Sequence, residues 1–240
     1  TFCLSSQVGC GYGCAFCSTG AMGLSRNLTA DEILAEFILM RAITKKVNSI
    51  VFMGMGEPLA NTKNLFKAIE TINSYKGFNL GIRHITISTS GEIVGIKQLI
   101  EKDLDCRLAV SLHSLKNEVR DKIMPINKKY PIENLISILK RYSKNGKRMI
   151  TFEWVLMKDI NDSVNDAYRI VNLKKEFPFK VNIIPMNPVE HAPELKKPNK
   201  DIILRFKSIL KDNGVEVIER FKQGQDILAG CGQLAIKDDN

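Results

Sequence analysis

Three cysteines near the start of the chain carry its densest chemistry. Cys10, Cys14 and Cys17 stand in the run Cys10-Gly-Tyr-Gly-Cys14-Ala-Phe-Cys17. The C-x3-C-x2-C spacing puts three thiolates on one short loop. A four-iron cubane held by three protein thiolates keeps one iron without a protein ligand. That iron can take a small molecule through an amine and a carboxylate, and the methionine end of S-adenosylmethionine carries such a pair. The chemistry this points to is electron injection into a sulfonium, with a carbon radical as product. Cysteines two or three residues apart also bind zinc, with Cys3 or another residue as fourth ligand, and spacing alone leaves that alternative open. A disulfide scaffold fits poorly, because the chain is long, holds six cysteines and shows no secretory leader. Glycines 11 and 13 keep the loop small, so its backbone can wrap a bulky cluster and donate to its sulfurs.

Other residues could serve the same chemistry. Glu57 lies in Gly54-Met-Gly-Glu57-Pro, after Gly56 and before a stiffening proline. Its carboxylate can accept hydrogen bonds from the ammonium of a bound amino acid; the plainer role is a helix N-terminal acid. Ser88 and Ser111 can bond a ligand carboxylate or ribose, or only satisfy nearby backbone. His113 ends an apolar strand, whereas His84 begins one and His191 lies in a long loop. Asn187, between Met186 and Pro188, can read a ribose or adenine edge, or simply form a turn. Cys231, in Gly230-Cys231-Gly232-Gln233, reads as an exposed nucleophile on a mobile loop. Cys3 reads as a second reactive thiol sharing the cluster cavity, and Cys106 as structural.

These residues need a scaffold that gathers them. Short β-branched runs alternate with segments of helical period. The expected strands are Phe2–Ser5, Ser49–Met53, His84–Thr89, Arg107–Leu112, Met149–Leu156, Lys180–Pro185 and Val215–Arg220. The expected helices are Thr29–Thr44, Thr62–Tyr75, Ile93–Glu101, Pro131–Lys144, Ser163–Lys175 and Asn199–Lys211. Thr29-Ala-Asp-Glu32 reads as a capping box, Ser163 and Asn199 as N-caps, Gly214 as a helix stop and Pro131 as a first-turn proline. Regular alternation predicts an α/β fold with a parallel sheet, built as an open or closed barrel rather than two domains. In such folds chemistry sits at the carboxyl ends of the strands. The cysteine loop, Glu57, Ser88, Ser111, His113 and Asn187 all fall there.

Composition narrows the partners. With 240 residues and 44% hydrophobic content, the chain can bury one sizeable core. Its net charge of +9 favours an acidic partner, nucleic acid first. No apolar run is long enough for a membrane span, and a cysteine-containing chain without a leader reads as cytoplasmic. The chain starts at Thr1 and enters its busiest motif at once, which predicts further residues upstream.

The motifs together resemble the radical S-adenosylmethionine RNA methyltransferases that act on adenosine, the RlmN and Cfr enzymes. The stretches are Cys3-Leu-Ser-Ser-Gln-Val-Gly-Cys10, Cys14-Ala-Phe-Cys17-Ser-Thr-Gly, Arg26-Asn-Leu-Thr, Phe52-Met-Gly-Met-Gly-Glu57-Pro-Leu, Ile87-Ser-Thr-Ser-Gly91 and Ser111-Leu-His113. They continue with Met124-Pro-Ile-Asn127, Asn182-Ile-Ile-Pro-Met-Asn187-Pro and Gly224-Gln-Asp-Ile-Leu-Ala-Gly-Cys231-Gly-Gln-Leu. They run in order along nearly the whole chain, and the zinc alternative recedes. The resemblance implies a partial (β/α)6 barrel, with residues 1–240 forming the radical SAM core and its C-terminal cysteine loop. The family's N-terminal accessory domain would lie outside the chain. It implies a [4Fe-4S] cluster on Cys10, Cys14 and Cys17, and S-adenosylmethionine held by Gly56, Glu57, Ser88, Ser111, Leu112, His113 and Asn187.

The implied catalysts are Cys231 and Cys3. Adenine C2 and C8 are not nucleophilic, so direct methyl displacement fails. Cys231 would first take a methyl group from one S-adenosylmethionine. A radical from a second molecule would remove hydrogen from that methyl, and the carbon radical would add to the ring. Cys3 would take the ring proton and form a disulfide with Cys231, releasing the methylated base. The implied partners are 23S ribosomal RNA and tRNA, with an electron donor such as flavodoxin; the protein would act as a monomer away from any membrane. Lys128, Lys129, Lys196, Lys197 and Lys200 are candidate phosphate contacts. Pro185 looks like the branch that methylates C2, and the cluster loop looks closer to the C8 branch, which confers antibiotic resistance; the reading adopted is C2. Readings of other classes are a non-catalytic iron–sulfur RNA-binding module and a radical enzyme acting on a peptide or small metabolite.

Overall fold

The expected alternation of strand and helix is what the chain adopts. A computed structural model describes residues 1–44, 47–144, 149–219, 230 and 232–235. The first elements are β1 (Phe2–Cys3), β2 (Gln7–Gly9), α1 (Ser18–Ala21), β3 (Leu24–Asn27), α2 (Ala30–Ile43), β4 (Ile50–Phe52), α3 (Thr62–Asn73), β5 (Ile85–Thr89) and α4 (Ile93–Glu101). They are followed by β6 (Arg107–Ser111), α5 (Asn117–Ile123), α6 (Ile126–Lys129), α7 (Ile132–Lys144), β7 (Ile150–Leu156), α8 (Val164–Lys174), β8 (Phe179–Pro185), α9 (Lys200–Asp212) and β9 (Glu216–Glu219).

Seven strands make one sheet in the order β1-β4-β5-β6-β7-β8-β9, every adjacent pair parallel. The order follows the chain, as successive right-handed β–α units require. The sheet stays open, with β1 and β9 at its edges, in keeping with a partial barrel. It has one strand more than the six repeats of the implied barrel. Fully buried side chains such as Phe37, Ile69, Ile87, Leu108, Leu139 and Trp154 fill the space between sheet and helices.

Local chemistry explains several boundaries. The capping box on α2 is complete: Glu32 N donates to Thr29 Oγ1 at 3.2 Å and Thr29 N to Glu32 Oε2 at 2.8 Å. Ser163 caps α8 by accepting from Asp166 N at 3.2 Å. Asn199 occupies the N-cap of α9 without a side-chain cap bond. Gly214, at φ +74°, ends the turn after α9.

The region around the cysteines departs from expectation. The first strand is only two residues, although Leu4 N still donates to Val51 O at 2.9 Å; Ser5 N, on the side away from β4, donates to Glu36 Oε2 at 2.9 Å. The antiparallel pair β2–β3 encloses the cysteine loop, and all four residues of β3 are exposed. That loop rests on a second small apolar cluster that includes Met124, Ile126, Met157 and Met186. Among the described residues, no helix is long and apolar enough to cross a membrane.

Candidate active site

The carboxyl ends of the strands surround a cavity of about 170 Å³. Cys10, Cys14, Cys17, Gly56, Glu57, Ser88, Ser111, His113 and Asn187 all line it. Nine of the twelve residues singled out from sequence thus share one wall.

The cysteine loop is held by its backbone. Cys10 N donates to Gly23 O at 2.8 Å, Ala15 N to Ile123 O at 3.0 Å, and Cys17 N to Cys14 O at 3.0 Å. Gly13 turns at φ +57°, where a side chain is disfavoured. Burial pushes the Cys10 thiol up to about 11, with Glu57 and Cys17 adding to the shift. Burial likewise pushes Cys14 up, and its neighbours Cys17 and Cys10 push the same way. Thiols that resist ionisation together need a cation to become thiolates, which is what an iron–sulfur cluster supplies. Among the described residues, no three His, Cys, Asp or Glu side chains stand close enough to chelate a single ion. Three soft thiol donors around a shared cavity fit a multi-iron cluster better than one zinc ion.

Glu57 is 4% exposed and firmly held. Its Oε2 accepts from Ser90 N and Ser90 Oγ, each at 2.7 Å, and its Oε1 accepts from Leu59 N at 3.0 Å. Burial raises its pKa, and the bonds from Ser90, Thr89 and Leu59 work against that rise. The carboxylate therefore fills its plainer role, capping the turn at Pro58, while also facing the cavity. The neighbouring glycines serve the chain itself. A Cβ on Gly56, at φ +98°, would stand 2.5 Å from Gln7 Cβ, and one on Gly54 would stand 2.8 Å from Leu4 O. Their bareness lets the segment leading to the cysteine loop pass close by, and both glycines also line the cavity. Gln7 Oε1 then accepts from Glu57 N at 2.8 Å.

His113 is 2% exposed and sits at φ +53°, unusual for a non-glycine residue. Its Nδ1 accepts from Val155 N at 3.0 Å, so the neutral ring carries its proton on Nε2. Its ring packs edge-on against Phe16 at 4.6 Å, joining the barrel rim to the cysteine loop. Burial, aided by the charge of Arg120, lowers its pKa to about 3. The ring is thus a neutral donor at physiological pH.

Three expected residues stand apart. The Leu112 side chain is buried in the main core and does not line the cavity. Its backbone N donates to Glu153 O at 3.1 Å and its carbonyl accepts from Arg120 Nε, so it can act through its neighbours. Cys3 is exposed on the edge strand β1 and does not share the cavity, because β1 ends before the chain turns toward the cysteine loop. Cys231 lies outside the described residues. Its neighbour Gly232 lines the cavity and accepts from Ser18 N at 2.7 Å through its carbonyl. Leu234 O accepts from Thr19 Oγ1 at 2.6 Å, and Gln233 Nε2 donates to Pro188 O at 3.1 Å. A Cβ on Gly232, at φ +82°, would stand 2.7 Å from Phe16 O.

Other site residues were not foreseen. Tyr12, between the first two cysteines, hydrogen-bonds through its hydroxyl to the buried carboxylate of Glu92. Glu92 also accepts from Tyr130 Oη at 2.9 Å. Glu153, on β7, lines the cavity and accepts from Asn182 Nδ2 at 2.6 Å. The Ser90-Gly91-Glu92 run was the available signal for Glu92. The lysines expected to meet phosphate, Lys128, Lys129, Lys196, Lys197 and Lys200, are all exposed.

Comparison with known proteins places this geometry in context. The family model described as the radical SAM superfamily matches residues 4–171. A probable dual-specificity RNA methyltransferase RlmN from Akkermansia muciniphila is 47% identical over 238 residues, covering 99% of this chain and 66% of that protein. A protein of the same description from Thermotoga sp. is 46% identical over 238 residues, covering 99% of this chain and 69% of its own. The chain therefore spans about two thirds of the length of these relatives. The crystal structure of a radical SAM methyltransferase from Sphaerobacter thermophilus superposes with a TM-score of 0.92 at 40% identity, covering 96% of this chain and 69% of that one.

Proposed function

This chain belongs to the radical SAM superfamily and, within it, to the RlmN family, and we propose that it is the catalytic core of an enzyme methylating C2 of an adenosine in 23S ribosomal RNA and in tRNA. The observation that carries this reading is one cavity wall shared by three thiols, a held carboxylate, a neutral imidazole and the glycine next to Cys231.

In this reading Cys10, Cys14 and Cys17 hold the [4Fe-4S] cluster. Gly56, Glu57, Ser88, Ser111, Leu112, His113 and Asn187 shape the place of S-adenosylmethionine. Bound there, the cluster and S-adenosylmethionine supply one-electron cleavage that yields a carbon radical. The chain's own residues do the rest. Glu57, fixed by Ser90 and Leu59, presents carboxylate oxygens without having to reorganise. His113 offers a proton on Nε2 as a fixed donor. Phe16, Val155 and Ile184 keep that wall apolar and exclude water. Cys231 accepts a methyl group at sulfur. Cys3, as a thiolate, takes the ring proton of the adduct once the adduct's unpaired electron has left to the redox centre that supplied it. Cys3 sulfur then bonds to Cys231 sulfur as the Cys231 sulfur–methylene bond breaks, and the proton passes to that methylene to complete the methyl group. Because Cys3 stands exposed on β1 and outside the cavity, this step requires a movement of the chain that brings the two thiols together. The exposed lysines around Lys128 and Lys196 position the polyanion. The reading also includes a cytoplasmic monomer and an electron donor such as flavodoxin.

The test is anaerobic reconstitution of the full chain, reaction with reductant, S-adenosylmethionine and ribosomal RNA, and mass spectrometry of the released nucleosides. The expected product is 2-methyladenosine. Formation of 8-methyladenosine would overturn the C2 assignment in favour of C8 chemistry. Tight RNA binding with no cleavage of S-adenosylmethionine would overturn the enzymatic reading in favour of a binding module.

A further inference from the structure

Arg120 is sealed inside the fold with 1% of its surface exposed. Its guanidinium donates four hydrogen bonds, and every acceptor is neutral. Nε donates to Leu112 O at 3.1 Å and Nη1 to Asn127 Oδ1 at 3.1 Å. Nη2 donates to Ser90 O at 2.7 Å and to Ser111 O at 3.1 Å. Among the described residues, no carboxylate makes an ion pair with it. Asp121 reaches it through Asn127, whose Nδ2 donates to Asp121 Oδ1 at 2.6 Å. A buried cation without a direct counter-ion is costly, and the cost is offset only where negative charge lies close.

The cavity wall is where such charge would arise once the thiols bind a cluster. Ser90 and Ser111, whose carbonyls Arg120 holds, both line the cavity, and Ser90 in turn holds Glu57. Arg120 is also the cation among the groups that act most strongly on Cys14, where the others are Cys17, Cys10 and Glu57. Three thiolates and Glu57 would crowd the site with negative charge, and one guanidinium stands a single residue layer behind it. Burial protects that guanidinium from salt screening.

We propose that Arg120 is the internal counter-cation of the thiol loop, a positioning residue whose buried charge raises the reduction potential of an iron–sulfur cluster held by Cys10, Cys14 and Cys17. The proposal rests on the reading of those thiols as cluster ligands. Adding an electron to an already anionic cluster is opposed by every nearby negative charge, and a fixed cation eases that step. The guanidinium fork also ties together the ends of β5 and β6, so bonding and charge must be separated by experiment.

Arg120→Gln removes the charge, and Arg120→Lys keeps it but cannot reach all four acceptors. The full chain and both variants are reconstituted anaerobically, iron and sulfide are counted, and the midpoint potential is measured by a redox titration followed by electron paramagnetic resonance. No RNA or S-adenosylmethionine is added. In Arg120→Gln the ratio of reduced to oxidised cluster at fixed poise should fall roughly tenfold, about 59 mV for a one-electron couple. Arg120→Lys should keep the potential of the unsubstituted protein while unfolding at a lower temperature. An unchanged potential in Arg120→Gln, or an equal fall in both variants, would overturn the proposal. Should Arg120→Gln fail to fold, Arg120→Met replaces it as the charge-removing variant: a roughly tenfold fall in the reduced-to-oxidised ratio supports the role of charge, and an unchanged potential refutes it. Failure of the unsubstituted chain to take up iron and sulfide would instead refute the cluster reading itself.

Discussion

His113 should make this protein less stable in acid. In the folded state its Nδ1 is committed to Val155 N–H, and burial holds its pKa at about 3, against an ordinary value of 6.5. Between those two values the unfolded chain binds a proton at this position and the folded chain does not. Stability therefore rises with pH across this window, is fully present above 6.5, and is lost as pH falls toward 3. Each pH unit in the window is worth about 1.4 kcal/mol, so two units of acidification below the ordinary histidine value remove about 3 kcal/mol. That figure needs only a folded pKa well below the end of the two-unit span. The control is His113→Asn. An asparagine oxygen can still accept from Val155 N–H, and asparagine tolerates a positive φ better than most residues. It does not titrate. Urea unfolding of both proteins at pH 4.5, 5.5, 6.5 and 7.5 gives stability against pH. The difference between wild type and variant should shrink or reverse by about 3 kcal/mol toward acid. Parallel curves would show that His113 does not carry the effect and that its neutral, Nδ1-accepting state is wrong.

Further expectations follow from single contacts. Gly56→Ala should cost roughly 2–5 kcal/mol in urea unfolding, from a left-handed backbone and a methyl group driven into Gln7; a loss under about 1 kcal/mol would mean that Gln7 yields freely. Tyr12→Phe should cost about 1–2 kcal/mol by removing a donor to buried Glu92, and should speed iron loss to a chelator after reconstitution; unchanged iron retention would separate Tyr12 from the loop's rigidity. Under the proposed function, Cys231→Ala should abolish methyl loading of the protein, read by intact mass after incubation with S-adenosylmethionine. Cys3→Ala should accumulate a protein–RNA adduct, visible as a shifted band, and normal turnover without it would remove Cys3 from the mechanism.

The parts of the fold that were legible owe it to strong periodic signals. Ile93–Glu101 was read to its exact ends because α4 packs one apolar face and is bounded by Gly91-Glu92. The Thr29–Glu32 box fixed the start of α2 for the same local reason. The pair β2–β3 left no trace, since β3 is exposed along its length and shows no alternation. The short helices α5 and α6 were missed because each is under two turns or close to it, too short for a period. Arg120 was invisible for a related reason: Lys116, Glu118 and Lys122 around it read as a solvated face, and nothing local marks one arginine of that run as turned inward. The cavity residues were found because unusual residue types sit at strand ends. The sequence could not say that Gly54 and Gly56 make room for Leu4 and Gln7, because that depends on which distant segment passes by.

The central claim is that the thiols of Cys10, Cys14 and Cys17 together carry a cluster with one iron open to S-adenosylmethionine. Iron and sulfide analysis of the anaerobically reconstituted chain, with its visible and paramagnetic resonance spectra before and after S-adenosylmethionine is added, tests it most directly. The account predicts about four iron and four sulfide per chain, uptake lost in Cys14→Ala, and a resonance spectrum of the reduced protein that changes on adding S-adenosylmethionine. One zinc ion per chain, or a cluster spectrum indifferent to S-adenosylmethionine, would contradict it.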